Sequence, residues 1–284
     1  MSVESYRGPG GAQLYYRYDD FTDPWVDAPT AVLCHGHPRN SNLWYEWVPL
    51  LSRRLKVARV DLRGLGLSRV PVETFKNSIE SRLLDALALF EHLKTGKVVW
   101  IGEATGALTG LSLATRAPQA LHALVIMSIP LRPGRSQLDR NAADLEPGET
   151  VQGQGSIDLM LARGMRAWAQ VSVRARPRMR EAPAGYVDWY VDQIAQNDPL
   201  LAAEFYRGMG PVDMVPELKD IGVPTLYLEG TRDALLPEDE REALVNSPNV
   251  RTVTLEGPSY DLGYARSQEC AAEVTRFLEE LGVL

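Results

Sequence analysis

The chain has 284 residues, 45% of them hydrophobic and 24% charged, with 30 Lys+Arg against 37 Asp+Glu and a formal net charge of −7. These proportions belong to a folded globular protein and exclude a disordered one, while the acidic balance argues against a nucleic-acid or anionic-membrane surface. No window approaches the run of about 18 apolar residues that spans a membrane, and the two cysteines, Cys34 and Cys270, cannot build a disulfide framework. The first residues lack the basic-then-apolar order of a secretory signal, so a cytoplasmic location is expected. No Cys/His spacing suits zinc.

Short β-rich runs alternate with helical patterns along the chain, which predicts a mainly parallel sheet flanked by helices. Residues 13–18 alternate as an early edge strand would. Residues 30–34 form a continuous apolar run ending at His35-Gly36, the pattern of a buried parallel strand. Further strands are predicted at 55–60, 97–101, 123–127, 225–228 and 250–255. Between them, Ile79, Leu83, Leu87, Phe90 and Leu93 form one apolar helical stripe, and Val274, Phe277, Leu278 and Leu281 form another. Strands vanish between about residues 131 and 216. Glycine, proline and helix-like pieces take over there, with Trp168, Tyr186, Trp189, Tyr190, Phe205 and Tyr206 among them. This stretch reads as a mostly helical cap (131–216) inserted into a core formed by 1–130 and 217–284.

Three loops follow strands at the carboxyl edge, where open α/β sheets place ligands. They are 35–41 (HGHPRNS), 61–68 (DLRGLGLS) and 102–107 (GEATGA). In this order and spacing, with a cap-sized insertion, they resemble the α/β-hydrolase fold, especially its epoxide hydrolase, dehalogenase and cofactor-free haloperoxidase branch. The resemblance spans nearly the whole chain and is weakest in the cap. It implies an eight-stranded, mostly parallel sheet and no cofactor.

Within that resemblance the third loop is the nucleophile elbow. Glycines two places either side of its central residue permit a strained strand-to-helix turn that lifts the central side chain toward substrate. Members of the fold carry Ser, Asp or Cys there; this chain carries Ala104, and a methyl group cannot attack a carbonyl, an epoxide or a carbon–halogen bond. Asp233, at the end of LEGTRD, stands where the family has its acid. The family's histidine belongs in the loop before the last helix, where this chain has Ser259-Tyr260, and no histidine follows His122. Tyrosine, with a reference pKa near 10 against roughly 6.5 for histidine, is a poor base at neutral pH. An engineered nucleophile-to-alanine change would explain Ala104 and not Tyr260.

By the same resemblance, the backbone N–H groups of His37 and Thr105 form an oxyanion site able to hold a carbonyl, carboxylate or enolate. His37 is a candidate replacement acid/base, or a polar residue of the pocket wall. Asp233 either anchors the Tyr260 hydroxyl, acts as base itself, or bonds nearby backbone. His35 is expected to support its loop, Glu103 to point beneath the elbow, and Asp61, Arg63, Gly64 and Gly66 to shape a turn beside the pocket. Tyr186, Tyr190 and Tyr206 are candidates for pocket lining. Arginines 163, 166, 174, 176, 178 and 180 form either a solvated helix face or a grip for an anionic substrate. Cys34 reads as a small core residue.

The candidate catalytic residues are therefore His37, Asp233 and Tyr260, with His37, Ala104, Thr105, Tyr186, Tyr190 and Tyr206 binding substrate. The expected function is non-hydrolytic acid/base chemistry, such as epimerisation, isomerisation or cyclisation, on a small natural product or peptide in bacterial secondary metabolism. In its triad loss the chain resembles atypical fold members such as the bottromycin peptide epimerase. Two alternatives stand beside it: a ligand-binding protein without turnover, and an ester or epoxide hydrolase inactivated at Ala104. A small-molecule or peptide partner is expected, with neither nucleic acid nor membrane.

Overall fold

Eight strands form one sheet in the order β1-β2-β4-β3-β5-β6-β7-β8 in a computed structural model that describes residues 2–134, 155–174, 179, 182–183 and 185–284. The strands are β1 (Ser2–Arg7), β2 (Gln13–Asp19), β3 (Thr30–Cys34), β4 (Lys56–Val60), β5 (Val98–Glu103), β6 (Leu121–Met127), β7 (Thr225–Arg232) and β8 (Val250–Pro258). The β1/β2 and β2/β4 pairs are antiparallel, and all remaining pairs are parallel. Every residue of β3 and β5 is buried, because helices cover both faces of the central strands.

The helices are α1 (Val48–Leu51), α2 (Ile79–Leu93), α3 (Thr105–Arg116), α4 (Ser156–Arg174), α5 (Tyr186–Ala195), α6 (Pro199–Met209), α7 (Glu238–Val245), α8 (Leu262–Ala265) and α9 (Ser267–Glu280). Between β6 and β7 the described residues hold helices α4, α5 and α6 and no strand. None of the described helices is long and apolar enough to cross a membrane.

Three expectations need correction. Residues 13–19 are not the sheet edge; Ser2–Arg7 lies outside them, a strand whose only buried residue is Tyr6 and whose apolar signal is correspondingly faint. On α2 the buried stripe is Ile79, Leu83, Ala86, Leu89 and Phe90, while Leu87 and Leu93 are only half-buried. On α9, Val274, Phe277 and Leu278 are buried, while Leu281, just beyond the helix, is exposed.

The turn from β5 into α3 fixes the geometry of everything above it. Ala104 has φ 52° and ψ −116°, a conformation that L side chains rarely adopt. The glycines on either side make it possible. A Cβ on Gly106 would lie 2.1 Å from the Cys34 carbonyl oxygen, and one on Gly102 would lie 2.5 Å from the Gly106 oxygen. Both substitutions would force α3 off the sheet.

Opposite stability effects follow at two positions of this turn. Gly106→Ala should destabilise by about 1–3 kcal/mol through overpacking. Ala104→Gly should cost nothing or stabilise by up to about 1 kcal/mol, since the strain it relieves offsets the extra freedom of the unfolded chain. Urea unfolding of both variants checks the pair.

Candidate active site

Ala104 stands at the open N-terminus of α3 with its side chain half-buried, in the place a nucleophile would take on this turn. The N–H of Thr105, in the first turn of α3, has no acceptor within the helix. Across from it, the His37 backbone N–H donates to Thr105 Oγ1 at 2.9 Å. The expected pair of oxyanion donors is thus reduced. The His37 N–H is already engaged by the threonine hydroxyl, which leaves Thr105 as the principal donor.

The His37 ring is held from the cap side. Its Nε2 lies 2.9 Å from the Ala202 carbonyl oxygen, so Nε2–H donates to it. The ring stacks on Phe205 at 5.2 Å and lies 5.5 Å from Tyr206. Phe205 in turn faces the Arg82 guanidinium at 5.6 Å. Burial pulls the pKa of Arg82 down to about 10, and its Nη1 donates to the Thr105 carbonyl at 3.0 Å.

Beside Ala104 the structure holds a group that sequence reasoning missed. Arg39 is 1% exposed and forms an ion pair with Asp261, itself fully buried. A point one Cβ bond from Gly36 lies 2.7 Å from the Ala104 methyl and 2.9 Å from Arg39 Nη1, so the guanidinium sits next to the elbow. Arg39 Nε donates to the Tyr190 hydroxyl at 2.5 Å, and the guanidinium faces the rings of Tyr264, Tyr260 and Tyr190 at 5.1, 5.8 and 6.0 Å. Burial opposes its charge, but the Tyr190 and Tyr264 hydroxyls and the Glu103 carboxylate outweigh burial and hold its pKa well above the usual value. The signal available in the sequence was an arginine five residues past a buried strand, with no nearby acid to balance it.

The expected residues divide between two places. His37, Ala104, Thr105 and Tyr206 gather at the start of α3; Tyr190 and Tyr260 gather around Arg39. Tyr186 joins the second group through Tyr190, with ring centroids 5.9 Å apart. Asp233 is exposed, with φ 55°, and among the described residues no hydrogen bond or ion pair joins it to Tyr260. The acid that meets Arg39 is the residue after Tyr260.

The supporting residues behave as their chemistry requires. His35 is fully buried; its Nδ1–H donates to the Gly36 carbonyl at 3.0 Å and its Nε2 accepts the Leu62 N–H at 3.2 Å. Burial pushes its pKa down, so it stays neutral. Asp61 accepts the N–H groups of Ser41 at 2.7 Å and Leu67 at 2.9 Å, and Gly64 and Gly66 have the positive φ that this turn demands. Arg63 donates to Asp85 at 2.8 Å. Glu103 is buried beneath the elbow and accepts from the Ser128 hydroxyl at 3.0 Å. Cys34 is buried with its thiol pKa pushed up by burial. Arg163 and Arg166 are exposed, and Arg166 donates to Asp192 at 2.7 Å, as on a solvated face. The side chains of the arginines at 174, 176, 178 and 180 lie outside the described residues. Among the described residues no group of three or more His, Cys, Asp or Glu could hold a metal.

Removing one member of the buried pair should be costly and removing both should not. Arg39→Met alone is expected to destabilise by about 3–5 kcal/mol, and adding Asp261→Asn should recover a large part of that; denaturant melts of the single and double variants check it. The depressed pKa of His35 carries its own pH dependence. The unfolded state takes up the proton first, so stability from neutral His35 is complete above about pH 6.5 and falls below it by up to about 1.4 kcal/mol per pH unit. His35→Gln should therefore lose stability less steeply than wild type between pH 7 and 5 in urea titrations.

Known proteins resemble this chain in sequence and in fold. A 3-oxoadipate enol-lactonase of Acinetobacter baylyi is 23% identical over 208 residues, covering 73% of each chain. A pimeloyl-[acyl-carrier protein] methyl ester esterase of Aeromonas hydrophila is 29% identical over 245 residues, covering 82% of this chain and 88% of the relative. The enol-lactonase structure from Burkholderia xenovorans superposes with a TM-score of 0.81 at 24% identity, covering 97% of this chain and all of that one. The family described as the alpha/beta hydrolase fold matches residues 29–259, and the chain belongs to it.

Proposed function

We propose that this protein performs acid–base chemistry on a carbonyl-containing small molecule or peptide without forming a covalent intermediate. The observation that carries the reading is the methyl group of Ala104 on a turn whose strained φ of 52° is otherwise kept. Three further features support it. Tyr260 lies against the Arg39 guanidinium and no imidazole follows His122 in the chain. A second oxyanion donor is given to Thr105 Oγ1. A buried ion pair stands beside the elbow.

The family setting supports the carbonyl class, since the enol-lactonase and the methyl ester esterase named above both act on acyl compounds by their names. In this reading the Thr105 N–H, at the positive end of α3, holds the substrate oxygen and favours the enolate as it forms. His37 takes and returns the α-proton. Tyr206 and Phe205 fix the imidazole. Epimerisation, isomerisation and cyclisation all run on such an arrangement, and none needs a nucleophile. The natural substrate fits the class of small natural products or modified peptides of bacterial secondary metabolism.

A second reading is favoured by one observation. The Arg39–Asp261 pair fills space next to Ala104, as suits a protein that binds a ligand without turning it over. The two separate by proton exchange. Wild type incubated in deuterium oxide with chiral α-aryl esters and N-acyl peptides should wash deuterium into the α-position, and His37→Ala should lower that rate by about 10²–10⁴-fold. Binding without any wash-in would support the second reading instead. Neither wild type nor Ala104→Ser or Ala104→Asp should hydrolyse p-nitrophenyl acetate or styrene oxide above background, because a restored nucleophile has no imidazole at position 260 to activate it. Robust hydrolysis by either variant would overturn the proposal.

A further inference from the structure

The side-chain hydroxyl of Thr105 stands in the oxyanion site itself. Its oxygen accepts the His37 backbone N–H at 2.9 Å, and so takes the place that a substrate oxygen would have on that N–H. The bond uses a lone pair and leaves the hydroxyl proton unspent. A threonine in a helix often gives this proton to the carbonyl four residues back, as Thr109 does to the Thr105 carbonyl at 3.2 Å. Thr105 has no such carbonyl. It is the first residue of α3, and four places back lies Ile101, inside strand β5 and before the non-helical turn at Ala104. Among the described residues no acceptor takes the Thr105 hydroxyl proton.

The residue is held firmly in place. Arg82 Nη1 donates to its carbonyl at 3.0 Å alongside the Thr109 hydroxyl, so the first turn of α3 is pinned from α2 and from within. The His37 N–H pins the side chain from the loop after β3. Thr105 is 7% exposed and follows Ala104, which is half-buried. Only Cα and Cβ separate its backbone nitrogen from its hydroxyl oxygen, so an oxygen held by the N–H can lie within reach of the O–H as well. The His37 N–H, donating into the hydroxyl oxygen, polarises it and strengthens it as a donor. A donor fixed beforehand costs no reorganisation as negative charge develops on the substrate.

We propose that the Thr105 hydroxyl is a catalytic residue, donating to the substrate oxygen in place of the His37 N–H, so that the oxyanion site grips an enolate through the N–H and O–H of one residue. The proton stays on the threonine throughout. The inference rests on the acid–base reading above in taking the bound ion to be an enolate. The two can fail separately, because binding of a preformed enolate needs no turnover. Absence of deuterium wash-in by wild type would count against that reading and not against this donor.

Titration calorimetry on the whole chain with 2-phenylcyclohexane-1,3-dione, an α-aryl enolate at neutral pH, tests the donor. Wild type should bind with a Kd below about 1 mM. Thr105→Val, which keeps the shape and removes the hydroxyl, should weaken binding by about tenfold or more, and Thr105→Ser should recover most of that loss. Thr105→Ala, which frees the His37 N–H, should bind no more tightly than wild type. Thermal melts confirm that each variant is folded. A further measurement needs wild type alone: proton NMR should show the Thr105 hydroxyl resonance in slow exchange and moved downfield once the enolate is bound. No binding at about 5 mM, a folded Thr105→Val binding like wild type, or a Thr105→Ser as weak as Thr105→Val would overturn the proposal. So would a hydroxyl resonance unmoved by the bound enolate, or a Thr105→Ala tighter than wild type, which would make the hydroxyl a plug in the site.

Discussion

The buried ion pair between Arg39 and Asp261 constrains the carboxyl edge of this fold more than any other interaction. Two charges taken out of water are stable only with good geometry and further hydrogen bonds around them. The chain meets that demand with the Tyr190 hydroxyl and three tyrosine faces. Those contacts come from the loop after β3, from α5 and from the segment between β8 and α9. The pair therefore ties the cap-side helix α5 to both loops that frame the elbow. It also puts permanent positive charge next to the one position where the fold would otherwise display a nucleophile.

The elbow itself shows which parts of the machinery depend on backbone and which on side chains. Ala104 keeps a dihedral pair that costs about 1–3 kcal/mol in a residue with a side chain. The glycines at 102 and 106, the short contact of α3 with β3 and the free first turn of α3 all follow from backbone packing. None of them is altered by replacing a hydroxyl with a methyl. Electrostatic stabilisation of a carbonyl oxygen survives such a replacement, whereas attack on that carbonyl does not.

What the sequence made legible follows the same division. The continuous apolar runs at 30–34 and 97–101, the paired glycines around Ala104 and the DLRGLG turn are local patterns, and each became the expected element. Ser2–Arg7 escaped notice because only Tyr6 is buried on it, too little for a strand signal. The pairing of Arg39 with Asp261 escaped because the one local sign, an unbalanced arginine past a buried strand, does not name its partner; the two meet through the fold, from opposite ends of the chain. Asp233 illustrates the converse. Its motif reads as the family's acid, yet with φ 55° at the end of β7 its side chain is exposed to solvent, away from the guanidinium cage.

The proposed function requires that no side chain on this hydrolase framework forms a covalent intermediate. Intact-mass spectrometry after incubation with a fluorophosphonate, a reagent that phosphonylates activated hydroxyl nucleophiles with loss of fluoride, tests this requirement. The account predicts an unmodified mass at concentrations that fully label an ordinary serine hydrolase. Stoichiometric phosphonylation of any single side chain at the carboxyl edge of the sheet would contradict it.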